Sequence, residues 1–377
     1  MFKILFVHNQ LVCGGAEQAL FDLITLLDKT KFDITVLVQY DGGIWEQKFR
    51  DAGIDVISIW DCQKASINPL VKLRNLRKRK QIDKALHRGG EGLLKACLDD
   101  TFDIIVAFNG STLQRMHFSG NAKTVKYIHG DVATNPLFLQ NTVAQLDILK
   151  RFDRIICVSN IAKRSFMEAT GITENVFAHH NPVNSHNILL LSQTEVSLPQ
   201  GLPIVCAVGR LAEEKGFERL IRIHKKLVDD GILHKLVIVG DGPELQRLTD
   251  VIREIHADDS VIMVGYQENP YPYMKQSDIL VCPSYTEGLG LVALEAILLG
   301  TPVISSAPSV GELFGNENCG LITGVDDKSL EAGIRRMLTD RALYQAAKAG
   351  AERRSAFFEG KRMVQEIEAE FISLVEK

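Results

Sequence analysis

Short apolar segments alternate with amphipathic segments along almost the whole 377-residue chain, and this alternation constrains the fold more than any other feature. Each apolar segment has the length of one strand and few polar residues, which is typical of strands covered on both faces of a sheet. Regular alternation of strand and helix predicts parallel sheets with right-handed crossovers. Strands are predicted at FKILFV, DITVLV, IDVISI, DIIVAF, TVKYIH and RIICVS, and then at PIVCAVG, HKLVIVG, SVIMVG, DILVCPS, TPVISS and GLITG.

The alternation is interrupted once, at residues 181–203, where three prolines and many polar residues occur. We therefore predict two doubly wound α/β domains, residues 1–182 and 203–352, connected by a linker at 183–202. Residues 353–377 are predicted to form most of a final helix that begins near residue 352 and packs back on the first domain. Its apolar face would consist of Phe357, Phe358, Met363, Ile367, Phe371 and Leu374.

The composition is that of a globular protein, with 46% hydrophobic residues, 24% charged residues and a net charge of -4, so no overall attraction to nucleic acid is expected. The seven cysteines show no CxxC spacing, and Cys157 and Cys282 are expected to be buried, reduced thiols. No apolar run suits a signal peptide or a membrane span. D-x-D triplets and metal-ligand spacings are absent from the sequence, so we expect a cytoplasmic protein without a catalytic metal or cofactor.

Ligands of open parallel sheets bind outside the carboxyl ends of the strands, so the loops after the strands are the candidate sites. Arg210 and Lys215 flank the loop after IVCAVG, just before a helix. Two cations at a helix N-terminus, where backbone N–H groups are free, suit a diphosphate. The alternative is a pair of solvated cations beside Glu213 and Glu214.

Glycines mark two further loops of the second half. Gly240 and Gly242, after LVIVG, would let a backbone approach a ligand, although a plain helix start explains these glycines better when they are taken alone. Gly288 and Gly290, after ILVCPS, precede a helix that ends at Gly300, and the bare N–H groups of such a helix start bind phosphate.

Glu287 and Glu295 flank this last glycine-rich turn and its helix. Glu295 has almost entirely apolar neighbours, and a buried, unpaired carboxylate would cost several kcal/mol, so a polar partner is predicted. We interpret the two acids as ligands for the sugars of a sugar nucleotide. Paired carboxylates also catalyse glycoside hydrolysis, but a cation pair and glycine-rich helix starts suit a diphosphate donor better.

In the first domain, Gly14 and Gly15 follow the first strand and open a helix, with a spacing that is not G-x-G-x-x-G. A plain helix start, with Glu17 favouring its dipole, is the alternative. His129 ends the strand TVKYIH. A lone histidine is more often structural, but the carboxyl end of a strand is a position that faces ligands.

The segment at 72–88 is strongly basic and contains a single acid, Asp83. A basic helix of this kind attracts anionic lipid surfaces at about 1 kcal/mol per cation. A solvated helix face is the alternative, and nucleic acid is disfavoured because no aromatic residues interleave with the charges. The cations are Lys72, Arg74, Arg77, Lys78, Arg79, Lys80, Lys84 and Arg88.

Five segments together resemble the retaining family 4 glycosyltransferases of the GT-B fold: GGAE, VGRLAEEKGFERLI, VIVGDGPEL, VGYQEN and CPSYTEGLGLVALEAILLGTPVISS. The resemblance covers nearly the whole chain. Its specificity lies in the combination of Arg210 and Lys215 with the E-x7-E motif formed by Glu287 and Glu295. The resemblance implies two Rossmann-like domains facing a cleft, a C-terminal helix crossing back to the first domain, and metal-independent transfer.

The resemblance also implies residue roles. Arg210 and Lys215 would neutralise the donor diphosphate as it leaves, and Glu287 would contact hydroxyls of the donor sugar. Glu295 would hold the ribose, and His129 would lie near the reacting carbon. Backbone or side-chain contacts to the donor would come from Gly14, Gly15, Gly240, Tyr266, Gly288, Leu289, Gly290 and Leu291.

The expected function is therefore transfer of a hexose-type sugar, with retention, from a UDP-sugar to a lipid-linked acceptor of bacterial surface polysaccharide. The family commonly has Phe where Leu289 stands, so that loop is slightly altered, and Asp where Asn184 stands, a difference of little consequence; neither departure speaks against transfer. Two alternatives are a GT-B sugar-nucleotide epimerase and a non-catalytic partner that binds sugar nucleotides. The basic segment fits peripheral attachment to the inner face of the plasma membrane.

Overall fold

The structure, a computed structural model, describes residues 1–12, 14–60, 69–87, 98, 101–109, 121–134 and 136–376. The chain forms two compact units. Unit 1 comprises Met1–Pro182 with Lys361–Lys377, and unit 2 comprises Val183–Gly360. Each unit contains one parallel sheet, as the alternation of strands and helices predicts.

The described strands of unit 1 are β1 (Phe2–His8), β2 (Phe32–Tyr40), β3 (Asp55–Trp60), β4 (Ile104–Ala107), β5 (Lys123–Ile128), β6 (Arg154–Cys157) and β7 (Val176–Ala178). Its helices up to residue 182 are α1 (Gly15–Leu26), α2 (Glu46–Asp51), α3 (Pro69–His87), α4 (Pro136–Val143), α5 (Leu146–Leu149) and α6 (Asn160–Thr170).

The sheet of unit 1 has the order β3-β2-β1-β4-β5-β6-β7, and its neighbouring strands run parallel. Ile4 of the central strand β1 pairs with Ile34 on one side and Ile104 on the other. Ile4 has no exposed surface, because helices cover both faces of such a sheet. The strand order reverses between β1 and β4, which makes their carboxyl ends the ligand-binding position of this sheet.

The strands of unit 2 are β8 (Ile204–Val208), β9 (Lys235–Val239), β10 (Val261–Gly265), β11 (Ile279–Cys282), β12 (Val303–Ser305) and β13 (Gly320–Ile322). Its helices are α7 (Ser185–Leu191), α8 (Phe217–Asp229), α9 (Leu245–Glu254), α10 (Tyr271–Lys275), α11 (Leu291–Leu298), α12 (Gly311–Phe314), α13 (Asp327–Thr339) and α14 (Arg341–Ser355). Short 3-10 turns occur at Glu213–Lys215, Pro308–Val310 and Ala356–Phe358.

The sheet of unit 2 has the order β10-β9-β8-β11-β12-β13, and it is also parallel. Val205 of β8 pairs with Leu236 of β9 and with Ile279 of β11, and all three belong to one buried cluster. The strand order reverses between β8 and β11. The loops after these two strands therefore meet at the switch point of the sheet.

The last helix, α15 (Gly360–Val375), belongs to unit 1 apart from its first residue. The ring of Phe371 lies 6.4 Å from the ring centroids of both Phe6 and Phe32. The buried carboxylate of Glu368 accepts a 2.7 Å hydrogen bond from the backbone N–H of Asp28. Helix α15 is thus fixed to the sheet of unit 1 by apolar packing and by a buried polar contact.

The structure differs from the predicted element boundaries in three places. The predicted helix from residue 352 is interrupted at Ala356–Phe358, so two helices replace one. At the interruption Phe358 is buried, and the guanidinium of Arg354 lies 5.1 Å from the ring centroid of Phe358. Helix α7 lies inside the predicted linker. Strand β7 was not predicted, because its three residues carry too short an apolar pattern.

The free cysteines that the structure describes are Cys157, Cys206, Cys282 and Cys319, and all four are buried, as predicted for Cys157 and Cys282. Burial raises the pKa of the Cys157 thiol to about 12. Cys13, Cys62 and Cys97 lie outside the described residues. Among the described helices, none is long and apolar enough to cross a membrane.

Candidate functional site

The switch point of unit 2 brings two distant segments of the sequence into contact. Lys215 lies in the loop after β8 and Glu287 in the loop after β11, 72 residues later. The ammonium of Lys215 donates a 2.7 Å hydrogen bond to Oε1 of Glu287. Both side chains are partly accessible, at 29% and 17% of their surface, so a ligand can reach them.

Further contacts fix the loop that carries Glu287. The Ser284 hydroxyl donates to Oε1 of Glu287 at 2.6 Å, and the Ser309 hydroxyl donates to its backbone carbonyl at 2.9 Å. The backbone N–H of Tyr285 donates to the carbonyl of Glu214 at 3.0 Å. The carboxylate is therefore held by a cation and a hydroxyl on a loop that is itself anchored.

Arg210 occupies the second position of the loop after β8, behind Gly209. Its side chain is 62% exposed, and its guanidinium donates to Oε1 of Glu214 at 2.6 Å. Exposed ion pairs of this kind contribute about 0–1 kcal/mol, so an anionic ligand displaces the carboxylate at little cost.

The helix after Glu287 begins without a side-chain cap. Gly290 precedes Leu291 in the left-handed region, with φ 85°, and as the N-cap residue it provides no side-chain cap for α11. In contrast, Ser159 and Asp326 cap α6 and α13 through their side-chain oxygens. Gly288, Leu289 and Gly290 form a buried backbone segment that leads into these N–H groups.

Glu295 is only 7% exposed, and the hydroxyl of Tyr271 on α10 lies 3.4 Å from its Oε1. A polar partner was predicted because a buried carboxylate is costly when unpaired. Tyr266, the other residue of this region that sequence reasoning selected, follows β10 and is 50% exposed.

The structure gives Gly240 a packing role. A Cβ atom at this position would lie 1.9 Å from the backbone oxygen of Gly209, and its φ of 151° also disfavours other residues. Gly242 similarly approaches the backbone of Leu211. These glycines allow the loops after β8 and β9 to pack backbone against backbone, which shapes the surface around Arg210.

In unit 1, Gly14 and Gly15 open α1, the first helix after β1, and α1 also lacks a side-chain cap at Gly14. Glu17 is buried, and a Cβ at position 14 would lie 2.6 Å from its Oε2. The imidazole of His8 lies 3.6 Å from Oε1 of Glu17 and is 1% exposed. Burial lowers the pKa of His8 to about 4, so its ring is neutral at neutral pH.

His129 lies just after the carboxyl end of β5, two strands from β1. Its Nε2 lies 2.8 Å from the carbonyl oxygen of Phe108, so this nitrogen carries the proton and Nδ1 is the acceptor nitrogen of the neutral ring. The rings of His129 and Phe108 pack at 4.4 Å between centroids. Burial lowers the pKa of His129 to about 3, with further contributions from Lys126 and His8.

Within unit 2, the structure brings Lys215 and Glu287 into direct contact and places Arg210, Gly290 and Glu295 in the elements around the switch point. In unit 1, Gly14, Gly15 and His129 follow strands of the sheet near its own switch point. Among the residues that the structure describes, no group of three or more His, Cys, Asp or Glu is arranged to hold a metal ion.

Sequence reasoning missed several residues around these sites. Ser284 and Ser309 gave no signal, because serine is common in any loop. Arg219 is a charged residue inside the apolar stripe of α8, and that position was a usable signal. The missed residues of the two sites are His8, Arg219, Tyr271, Ser284, Ser306 and Ser309.

Comparisons with known proteins point to a glycosyltransferase. Residues 192–354 match the model of the family Glycosyl transferases group 1. The chain is 25% identical, over 96% of its length and 97% of the relative, to an N-acetylgalactosamine-N,N'-diacetylbacillosaminyl-diphospho-undecaprenol 4-alpha-N-acetylgalactosaminyltransferase of Campylobacter jejuni. It is 24% identical, over 88% of its length and 87% of the relative, to the lipopolysaccharide core biosynthesis glycosyltransferase LpsE of Rhizobium meliloti.

Solved structures give the same fold. HepE of Anabaena, in complex with UDP and glucose, superposes with a TM-score of 0.74 at 20% identity, covering 99% of this chain and 100% of that one. Sucrose-phosphate synthase of Thermosynechococcus elongatus has a TM-score of 0.78 at 19% identity, covering 99% of each chain. The predicted GT-B fold is therefore confirmed. Together with the family model and the named relatives, these findings support a glycosyltransferase.

Proposed function

We propose that the chain is a retaining glycosyltransferase of family 4, which transfers a hexose-type sugar from a UDP-sugar to an acceptor hydroxyl. The observation that carries the proposal is the contact between Lys215 and Glu287 at the switch point of unit 2. A cation for a phosphate and a carboxylate for sugar hydroxyls lie side by side there. In this proposal Glu287 and Glu295 form the E-x7-E motif.

The diphosphate is proposed to bind between Arg210, Lys215 and the N-terminus of α11. An ammonium has three donors, so Lys215 can hold a phosphate oxygen while it keeps its bond to Glu287. The uncapped N–H groups that follow Gly290 add hydrogen bonds and the positive end of the helix dipole. These groups stabilise the negative charge that develops on the leaving UDP, which is the main electrostatic contribution to catalysis.

The two acids are proposed to bind the two sugars of the donor. The Glu287 carboxylate, oriented by Lys215 and Ser284, accepts hydrogen bonds from donor-sugar hydroxyls. Glu295, which lies next to the hydroxyl of Tyr271, accepts from the ribose. Tyr266 is proposed to border the base. The UDP preference is supported by the solved complexes of HepE with UDP and UDP-glucose.

Unit 1 is proposed to contribute His129 near the reacting carbon, with Gly14 and Gly15 on the phosphate and acceptor side. Because burial lowers the pKa of His129 to about 3, its ring stays neutral and offers a hydrogen-bonding nitrogen rather than a second positive charge. Retention would follow from attack on the face of the leaving group, with a phosphate oxygen taking the proton of the acceptor hydroxyl. No residue of the chain then forms a covalent intermediate.

The acceptor is proposed to be a lipid-linked glycan of bacterial surface polysaccharide synthesis at the inner face of the plasma membrane. The Campylobacter jejuni relative is named for a diphospho-undecaprenol acceptor. Helix α3 also exposes three leucines on one face, Leu70 at 77%, Leu73 at 48% and Leu76 at 55%. The seven Lys and Arg residues of α3 are exposed and belong to the basic segment at 72–88. The eighth cation of that segment, Arg88, lies outside the described residues.

Membrane attachment is tested by co-sedimentation with vesicles of phosphatidylcholine with and without phosphatidylglycerol. We expect binding to anionic vesicles alone, weakened by added salt and by the double substitution Lys72→Glu with Lys80→Glu, because both side chains are exposed on α3 and each change reverses a charge. Equal binding of wild type and variant would contradict attachment through α3.

The donor site is tested by thermal unfolding of wild type and Lys215→Met with UDP-, GDP-, ADP- and TDP-sugars. A bound donor raises the melting temperature by mass action, so one UDP-sugar should stabilise the wild type and the variant should lose that shift. Lys225→Met is the matched control, since Lys225 is also partly exposed and pairs with a carboxylate, that of Asp229, within α8. If no sugar nucleotide stabilises the wild type at millimolar concentration, the proposed function is wrong.

A transfer assay then separates the chemical alternatives. Release of UDP should depend on an added acceptor and should fall sharply in Glu287→Gln. Turnover of the donor without an acceptor would indicate an epimerase, and donor binding that is indifferent to Glu287→Gln would indicate a non-catalytic binding protein.

A further inference from the structure

Arg219 is a buried charged residue next to the proposed donor site. It lies in the first turn and a half of α8, on the side of the helix that also buries Phe217 and Leu220, and it is 5% exposed. A buried guanidinium is costly unless its N–H groups are satisfied. Arg219 therefore needs a set of acceptors, and the positions of those acceptors indicate what the residue does.

The acceptors of Arg219 lie beyond the carboxyl ends of three strands. Its Nε donates to the backbone oxygen of Pro283, after β11, at 2.8 Å, and Nη2 donates to the same oxygen. Nη2 also donates to the Ser306 hydroxyl, after β12, at 2.5 Å. Nη1 donates to the carbonyl of Val325, after β13. One planar side chain thus links three loops at the edge of the sheet.

These contacts lead to the carboxylate of Glu287 in two further steps. The Ser306 hydroxyl, which accepts from Arg219, donates to the backbone oxygen of Ser284 at 2.7 Å. The hydroxyl of Ser284 in turn donates to Oε1 of Glu287 at 2.6 Å. Arg219 therefore fixes the peptide oxygens of Pro283 and Ser284. The hydroxyl of Ser284, in the same turn, orients the carboxylate of Glu287.

Two more features hold α8 against this turn. A Cβ at Gly216 would lie 2.2 Å from the oxygen of Pro283, so the helix start and the turn are in backbone contact. The guanidinium of Arg219 lies 4.2 Å from the ring centroid of Tyr285, a cation–π contact. Since Lys215 directly precedes Gly216, the backbone contact at Gly216 sets the distance between Lys215 and Glu287.

We infer that Arg219 is a positioning residue for donor recognition: it sets the direction of the Glu287 carboxylate and so lets the site distinguish a sugar nucleotide from the free nucleoside diphosphate. This inference rests on the proposed function. A planar fork of donors is required, because the three N–H donors of a lysine share one nitrogen, which cannot take the place of the separate guanidinium nitrogens that hold Pro283, Ser306 and Val325. The diphosphate contacts do not pass through Arg219.

The test compares Arg219→Lys with the control Arg222→Met on the same helix. The side chain of Arg222 is 44% exposed and pairs with Glu218. Affinities for UDP and for the UDP-sugar, together with kcat and KM, are measured well below the melting temperature of each variant. We expect Arg219→Lys to weaken UDP-sugar binding and kcat/KM by about 10–100-fold, since a displacement near 1 Å has effects of this size. UDP affinity should change by less than about threefold, and Arg222→Met should resemble wild type.

A double-mutant cycle separates positioning from general packing. If Arg219 acts through Glu287, then Arg219→Lys should have little further effect on UDP-sugar affinity in a Glu287→Ala background. Equal losses of UDP and UDP-sugar affinity, or a full effect in the Glu287→Ala background, would overturn the inference. If Arg219→Lys does not fold, Ser306→Ala removes the link to Ser284 and should give a smaller loss with the same selectivity for the sugar.

Failure of the proposed function has a different signature. In that case the wild type itself would bind no sugar nucleotide, or Glu287→Ala would bind the UDP-sugar as tightly as wild type. Either result overturns both the proposed function and the role of Arg219. Normal donor binding by the wild type, loss in Glu287→Ala, and no selective effect of Arg219→Lys would overturn the role of Arg219 alone.

Discussion

Acid should destabilise unit 2 through a buried pair of histidines. His224 and His234 are 1% and 2% exposed, and Nδ1 of His224 lies 2.8 Å from Nε2 of His234. Nδ1 of His234 donates to the carbonyl of Ile232, so the Nε2 of His234 is an acceptor and receives the proton of Nδ1 of His224. The Nε2 of His224 is then also an acceptor, and the Ser260 hydroxyl donates to it. The neutral pair is fully hydrogen-bonded, and adding a proton to either ring would break one of these hydrogen bonds.

Burial is the largest cause that lowers the pKa of His224, to about 3, and repulsion from His234, Lys235 and Lys225 adds to it. The unfolded chain takes up a proton on this residue as the pH falls through 6.5, whereas the folded chain stays neutral until about pH 3. The stabilisation that neutral His224 contributes to the folded state is therefore fully present above pH 6.5 and is lost as the pH falls. Linkage between these two pKa values gives a loss of about 2 kcal/mol between about pH 8 and pH 5.

Hydrogen exchange of the β8 and β9 amides, corrected for intrinsic rates, measures the opening free energy of unit 2 across this pH range. The reference is His224→Leu, which removes the titrating group. The substitution also leaves one nitrogen of His234 without its hydrogen bond, but this cost is the same at both pH values and cancels when they are compared. The difference in opening free energy between wild type and variant should shrink by about 2 kcal/mol from about pH 8 to pH 5. A difference that is the same at both pH values would refute the reasoning.

Two further predictions concern packing in each unit. Gly240→Ala should lower the free energy of unfolding of unit 2 by about 3 kcal/mol or more, because the new Cβ would lie 1.9 Å from a backbone oxygen. The control Gly231→Ala has open space around the new Cβ and a φ of 86°, so it should cost only about 1 kcal/mol. Equal effects on the exchange of β8 would contradict this. Glu368→Ala should cost unit 1 about 1–3 kcal/mol, because the N–H of Asp28 loses its buried acceptor. Urea unfolding followed by tryptophan fluorescence reports unit 1, which contains both tryptophans, and an unchanged midpoint would contradict that role.

The sequence predicted the fold well because the information is local. Each strand of unit 2, from IVCAV at β8 to GLI at β13, is an apolar run that neighbouring residues alone define. Loop positions such as that of Glu287 followed from the rule that ligands bind at the carboxyl ends of strands. The interruption at Ala356–Phe358 was not predictable in this way, since residues 341–375 have continuous helical character and the break depends on where Phe358 is buried.

Residue types and spacing by themselves determined that this chain forms two doubly wound α/β sheets, and that Lys215 and Glu287 lie in loops at strand ends. Only the tertiary structure decided that these two residues, 72 positions apart, meet at 2.7 Å. It also decided that Arg219, which its charge would place at the surface, is buried and holds the turn at Pro283. Periodic burial is encoded in neighbouring residues, whereas hydrogen bonds between loops depend on strand order and register, which only the complete set of long-range contacts defines.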